Sequence, residues 1–325
     1  MVQALAIFRA LADSTRLRVL ALLRSMELSV GELAQVLGQS QPRVSRHVKI
    51  LCDAGLAERR KEGSWVFVAL GADAKVKPIL TALDSWAEAD HWTVADEARL
   101  AAVRADRASA AGEWFEAHAR EWDAIRSLHI AEEQVEAAMA KALGDARLDC
   151  LIDIGTGTGR MLELFAPLAR HALGIDRSSE MLRLARAKLS ERGLANAELR
   201  QADLYALPLA DGGADAAILH HVLHFAQQPG GAISEAARVL GPGGRLLIAD
   251  FAPHDREELR ARDAHSRLGF ADDQIATWFG NAGLQMAQTE MLEGGELTVT
   301  LWLGRKAVPS RVEGAGANLR EVKAA

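Results

Sequence analysis

Residues 148 to 160 read Leu-Asp-Cys-Leu-Ile-Asp-Ile-Gly-Thr-Gly-Thr-Gly-Arg. The apolar run Cys150 to Ile154, broken by Asp153 alone, has the length of a buried parallel strand. Gly155, Thr156, Gly157 and Gly159 follow, and then the helically spaced Met161, Leu162, Leu164 and Phe165. Strand, glycine-rich turn and helix make the layout of a nucleotide site, because glycine lets backbone approach a ligand where a Cβ would collide. The spacing narrows the ligand. A dinucleotide fingerprint needs its third glycine where Arg160 stands, and a phosphate loop needs a Gly-Lys-Ser/Thr that is missing. What remains is acid-x-Gly-x-Gly-x-Gly, with a purely structural glycine turn as the alternative.

That pattern resembles motif I of class I S-adenosylmethionine (SAM) methyltransferases. The resemblance implies a ligand carrying an ammonium and a sulfonium but no phosphate, to which Asp153 offers opposite charge. Gly155, Thr156, Gly157 and Gly159 would cradle it. Beyond the loop, strands and helices alternate as in a doubly wound sheet. The segment His171 to Asp176 ends in an acid 21 positions after Gly155, where a carboxylate grips a ribose diol. Arg177 and then Ser178-Ser-Glu-Met-Leu182 resemble the family's acid-x-Ser-x-x-Met-Leu, which brings Met181 to the cofactor. Asp203 and Leu204, ahead of Leu207-Pro208, resemble the segment that presents an acid to the adenine amine.

Two further stretches, Ala214 to Phe225 and Ala237 to Asp250, complete the order; the second reads helix, Gly-Pro-Gly-Gly turn, strand. Any one of these acids could be a strand-end cap, but the ordered set resembles the ubiquinone/menaquinone-biosynthesis-like methyltransferases. It implies an α/β, Rossmann-like, seven-stranded sheet ending in an antiparallel hairpin, expected at Leu284–Leu292 and Leu297–Leu303.

Methyl transfer from a sulfonium is an in-line displacement, so much of the rate can come from holding donor and nucleophile in line. A base is needed only where the acceptor must lose a proton. His220 and His221, with His224 beyond them, sit at the carboxyl end of a strand, where such sheets bind ligands. They are the candidates to touch cofactor or acceptor; strand-end and core histidines are the alternative. His254 and His265 fall in the segment that caps the pocket in relatives. Arsenic-methylating relatives need several cysteines here, and this domain has Cys150 alone, which excludes that substrate.

The 325 residues suffice for two domains, with 49% hydrophobic and 25% charged residues, as in ordinary globular chains. No apolar run reaches membrane-span length, and Met1–Leu23 carries charges at intervals unlike a signal peptide. Two cysteines, Cys52 and Cys150, make no thiolate cluster and suit a reducing cytoplasm. The net charge of −6 hides an asymmetry. Residues 1–70 hold ten basic against six acidic side chains, a surplus of four, which leaves −10 for the remainder. A basic head on an acidic body implies that the head alone meets a polyanion.

The head carries its own pattern. Ser29-Val-Gly-Glu32 is a capping box opening a short helix with Leu33, Val36 and Leu37 inward. Gly38-Gln39 turns the chain, and Ser40 caps a second helix with Pro42 in its first turn. Two short helices about a glycine turn read as helix-turn-helix. Along the second, Val44, Val48 and Leu51 form the core stripe. The opposite face offers Gln41, Ser45, Arg46 and Lys49 for base edges, with Arg43 and His47 nearer phosphates. Leu56 to Leu70 then reads as two strands about Glu62-Gly63-Ser64, with Arg59, Arg60 and Lys61 on the inbound arm: a basic wing.

Three segments, Leu11 to Leu20, Ser40 to Leu51 and Gly55-Leu56, resemble the ArsR/SmtB family of winged-helix repressors. The resemblance implies a homodimer, joined through the first helix and a terminal helix between Asp73 and about Ala105, on a palindromic double-stranded operator. It departs from the metal-sensing members, whose cysteines are replaced by Met26-Glu-Leu-Ser-Val-Gly-Glu32. No metal site is therefore expected. The expected organisation is an α+β winged helix-turn-helix over 1–105, a methyltransferase domain over 106–305 and a disordered tail over 306–325. The expected function is a regulator whose operator affinity answers to SAM or S-adenosylhomocysteine. A methyltransferase acting on a small-molecule acceptor, with the head regulating its own gene, stands as the alternative.

Overall fold

Local chemistry sets each helix of the head. Asp13 ends α1 (Val2–Leu11) and caps α2 (Ser14–Ser25), its carboxylate accepting from the Arg16 N–H at 3.1 Å. The capping box closes both ways at α3 (Val30–Leu37): Ser29 Oγ accepts from the Glu32 N–H at 3.2 Å, and Glu32 Oε2 from the Ser29 N–H at 2.7 Å. Gly38 takes φ 64°, the left-handed turn that starts α4 (Gln41–Asp53) in its new direction. Ser40 stands at the N-cap of α4, but its hydroxyl makes no capping bond. The stripe Val44, Val48, Leu51 is fully buried. β1 (Leu28–Ser29), β2 (Ala57–Glu62) and β3 (Trp65–Leu70) form an antiparallel sheet in the order β1-β3-β2.

The computed structural model describes residues 2–62, 65–71, 73–86, 94–103, 117–119, 132–293 and 295–308. Helix α5 (Asp73–Trp86) is followed by a helical stretch at 94–103. That stretch turns inward: Leu100 and Val103 join the head's own core, and buried Asp96 takes two bonds of 2.6 Å from Arg18. The domain boundary expected between 105 and 106 lies outside the described residues.

In the body, β4 (Leu148–Ile154), β5 (Ala169–Asp176), β6 (Ala197–Gln201), β7 (Ala214–His220), β8 (Leu240–Phe251), β9 (Leu284–Leu292) and β10 (Val299–Lys306) form one sheet, ordered β6-β5-β4-β7-β8-β10-β9. The first five run parallel, and β10 pairs antiparallel with both β8 and β9. The seven-stranded sheet and its terminal hairpin thus match expectation. The Gly-Pro-Gly-Gly turn appears as a break in pairing, with Ala214 opposite Leu240 but Ala216 opposite Arg245.

Helices α6 (Glu132–Leu143), α7 (Arg160–Phe165) and α8 (Ser179–Glu191) follow in chain order, then α9 (Pro229–Val239), α10 (Glu258–Arg262) and α11 (Asp272–Asn281). Alternation along β4 serves two cores: Leu151 packs with Met139 and Phe165, Ile152 and Ile154 with Ile233 and Ile275. One boundary moves. Lys306, expected in the tail, ends β10 and donates to the carbonyls of Ala237 and Leu240 at 2.7 and 2.6 Å, a cation on the last carbonyls of α9. The tail from 309 onward lies outside the described residues. Strand order reverses between β4 and β7, which opens a crevice at their carboxyl ends. No described helix is long and apolar enough to cross a membrane.

Candidate functional site

The glycine loop is built into that crevice by its backbone. The Gly155 and Thr156 N–H groups both donate to the Ile175 carbonyl, at 2.7 and 2.9 Å. Gly155 has φ 73°, and a Cβ there would stand 2.5 Å from Val222, so only glycine lets the loop after β7 close against it. Asp153 is 1% exposed and accepts from the Thr156 hydroxyl at 2.6 Å, so it braces the loop from beneath. Gly159, at φ 86°, packs against Ala185 of α8.

Asp176 closes the cradle from the end of β5. Its Oδ2 accepts from the Gly157 N–H and its Oδ1 from the Ser178 N–H, both at 2.8 Å. Burial pushes its carboxyl above the usual range, against the pull of those N–H groups. Arg177 is exposed, and its carbonyl accepts from Gln201 at 2.9 Å. Met181 is buried at the start of α8, its N–H on Ser178 Oγ at 3.2 Å. Asp203 is exposed and takes the Tyr205 N–H at 2.9 Å, with Leu204 half-buried beside it. The set suits a ligand without phosphate. Arg160, the cation next to the loop, is bound at 2.7 Å by both oxygens of Glu136 and at 3.1 Å by Glu163.

His220 is half-buried where β7 ends. His221 follows at φ 53°, a strained value for a non-glycine residue, with its N–H donating to Ala249 of β8 at 2.8 Å. His224 Nδ1 lies 2.7 Å from Asp250 Oδ1, and both side chains are buried. Phe225, His265 and Phe251 ring this imidazole, with centroids 3.9, 4.3 and 4.8 Å away. Asp250 is pushed up to about 6 by burial, against His221 and the N–H groups of Phe251, His224 and Leu223. His254, at the edge of this group, is held low by burial and by Arg256 and Arg260.

His221, His224 and Asp250 bring ligand atoms within 4.8 Å of one another, a metal-like composition. The geometry does not fit a metal. Oδ2 of Asp250 already takes the Leu223 and His224 N–H groups, and Oδ1 takes the Phe251 N–H and lies 2.7 Å from the imidazole Nδ1, so neither oxygen stands open to an ion. The partnership of His224 with Asp250 escaped the sequence reading. Its signal lay in register: His220 pairs with Ala249, so the residues after each meet at the same sheet end.

On the head, Gln41, Arg43, Arg46 and Lys49 are exposed along α4, and Ser45 and His47 are half-buried. Lys49 pairs at the surface with Asp53 at 2.8 Å. His47 turns toward Asp13 at 3.6 Å. Burial lowers its pKa, with Asp13 opposing and Arg16 and Arg43 assisting. Arg59 Nη2 donates to Ser45 carbonyl and Oγ at 3.1 and 3.4 Å, joining wing and recognition helix. Lys61 is exposed on the same arm. Arg60 goes elsewhere: it binds Glu58 and Glu27, because successive strand residues face opposite sides.

Fold and site define a winged helix-turn-helix head on a body with the fold of SAM-dependent methyltransferases. Residues 13–59 match the family described as "Bacterial regulatory protein, arsR family", and residues 152–248 match "Methyltransferase domain". The arsenic resistance transcriptional regulator ArsR1 of Pseudomonas putida is 37% identical over 97 residues, 28% of this chain and 76% of that one. The phosphatidylethanolamine N-methyltransferase of Cereibacter sphaeroides is 35% identical over 162 residues, 47% of this chain and 79% of that one. The chain therefore belongs to the arsR family of bacterial regulatory proteins by its head and to the methyltransferase-domain family by its body. Two other curated relatives are matched over only 36% and 42% of their own length. Among solved structures, a chain of the complex between the Haloferax volcanii Trm112 methyltransferase activator and the putative methyltransferase shares the fold. Its TM-score is 0.51 at 19% identity, over 61% of this chain and 97% of that one.

Proposed function

We propose that the chain is a DNA-binding transcription regulator whose operator affinity is set by SAM, or by S-adenosylhomocysteine, bound in the body. The observation that carries this reading is the Asp176 cradle, an acid and three left-handed glycines at a sheet crevice. It shares a chain with a recognition helix whose exposed face is basic. In this reading the Asp176 carboxylate takes the ribose hydroxyls, and Asp203 with Leu204 meets the adenine. Arg177, Met181 and His220 flank the ligand, and the backbone of Gly155 to Gly159 lies along it. When bound, SAM supplies a methyl made electrophilic by the sulfonium.

Gln41, Ser45, Arg46 and Lys49 would meet base edges, with Arg43, His47, Arg59 and Lys61 nearer phosphates. A homodimer on a palindromic operator is part of the proposal. It is supported by Leu5 and Phe8 of α1, apolar side chains 51% and 69% exposed. Two free cysteines agree with a cytoplasmic protein. Linkage limits the effect of ligand on operator affinity to the ligand's differential affinity for the two states, typically about 1–3 kcal/mol of coupling. Calorimetry with SAM and S-adenosylhomocysteine on the folded chain tests the reading; binding of neither would end it.

One observation favours a second reading, turnover on a small-molecule acceptor. The Asp250 carboxylate orients the His224 imidazole, the arrangement of a general base, with His220 and His221 adjoining it. Release of labelled methyl from SAM onto metabolite pools would distinguish turnover from sensing alone.

A further inference from the structure

Arg267 is charged yet 1% exposed, and its neighbours come from both domains, which face each other across a cleft of about 1180 Å³. Its Nη1 donates to Glu27 Oε2 at 2.9 Å, and its guanidinium carbon lies 4.2 Å from the centre of the Phe67 ring. The other oxygen of Glu27 accepts from Arg60 Nη1, also at 2.9 Å. Arg60 and Phe67 are cross-strand partners in β2 and β3. Arg267 thus holds one rung of the wing by both ends.

The backbone around Arg267 is fastened to the histidine group. The Ser266 and Arg267 N–H groups both donate to the His224 carbonyl at 2.9 Å. Phe270 N–H binds the Phe251 carbonyl at 2.9 Å, and His254 N–H binds that of Leu268 at 3.0 Å. Gly269, at φ 84°, presses so close to the end of β8 that a Cβ would stand 2.1 Å from the Ala252 carbonyl oxygen. This strap therefore follows the ends of β7 and β8. On the far face of β2, one residue before Arg60, Arg59 holds Ser45 of the recognition helix.

We propose that Arg267, Glu27 and Arg60 form a latch that carries the ligand state of the body to the recognition helix. The latch rests on the sensing reading above and names its route. A ligand that moves the strap moves a buried guanidinium that is bonded to Glu27 and packed on the Phe67 ring, so the wing moves as well. Strand alternation passes that movement from Arg60 to Arg59 and so to Ser45.

The test uses the full-length chain and a duplex enriched by the wild-type protein from a random-sequence pool. Duplex affinity is measured by anisotropy without ligand and with saturating SAM or S-adenosylhomocysteine, alongside calorimetry of each ligand and a melting curve. In the wild type, ligand should change duplex affinity by about fivefold or more. Arg267→Met should bind ligand normally but lose the change, to less than about twofold, and so should the milder Glu27→Gln, at the less buried member of the pair. A folded variant that keeps the full change overturns the latch and leaves sensing intact. A wild type that binds ligand without any change overturns sensing and latch together, and one that binds no ligand removes the cradle reading and, with it, the latch.

Discussion

The recognition helix and the glycine cradle perform their tasks with different parts of the chain. On α4 the acting groups are side chains standing in solvent, while Val44, Val48 and Leu51 hold the helix from behind. In the cradle the acting groups are backbone N–H groups and half-buried or buried carboxylates, each also holding the fold together. Function and stability are therefore separable in the head and joined in the body.

Substitutions can break or sharpen that contrast. Asp176→Asn removes a charged acceptor; losing a charge-assisted bond of ~1.5–3 kcal/mol implies SAM affinity lower by about ten- to a hundredfold. Calorimetry should show that loss together with a lower unfolding midpoint, since Gly157 and Ser178 lose the same carboxylate, and ligand-free DNA affinity should stay unchanged. Gly155→Ala meets both the φ of 73° and Val222. Overpacking of this kind costs about 1–3 kcal/mol, readable as a lower denaturation midpoint.

In the head, Arg43→Ala or Lys61→Ala, on the phosphate side, should each reduce the salt slope of DNA binding by about 1. The melting curve should not move, because exposed substitutions stay within about 0.5 kcal/mol. A body variant that melts normally yet loses ligand, or a head variant that unfolds, would erase the distinction.

pH separates the regions further. With Asp250 pushed up to about 6 by burial, the folded chain keeps a proton that an unfolded carboxyl releases near pH ~4. Stability should accordingly fall as pH rises from about 4 to about 6 and level off above, and Asp250→Asn should abolish that slope in equilibrium unfolding. The smallest effect belongs to His47. Burial holds it below the ordinary imidazole range, so at pH 7.5 it is neutral, and His47→Gln should leave the salt slope unchanged.

The same contrast governs what a linear sequence reveals. The core stripe of α4, the capping box at Ser29 and the glycine spacing at Gly155 are local and periodic, and they were legible. Arg59, Arg60 and Lys61 read as one basic patch, although the two-residue period of a strand already sends Arg60 to the other face. The pair of His224 with Asp250 spans 26 positions, and that of Arg267 with Glu27 spans 240. Neither has a local pattern, because sheet order and domain contact create them. Arg18 and Asp96, 78 positions apart, likewise give no local sign of the bonds that fasten the stretch at 94–103 to the head.

The most direct test of the account is duplex affinity of the full-length wild-type chain, measured by anisotropy with and without saturating S-adenosylhomocysteine. The account predicts two separated curves, about fivefold apart or more. Superimposed curves, with calorimetry showing the ligand bound, would contradict it.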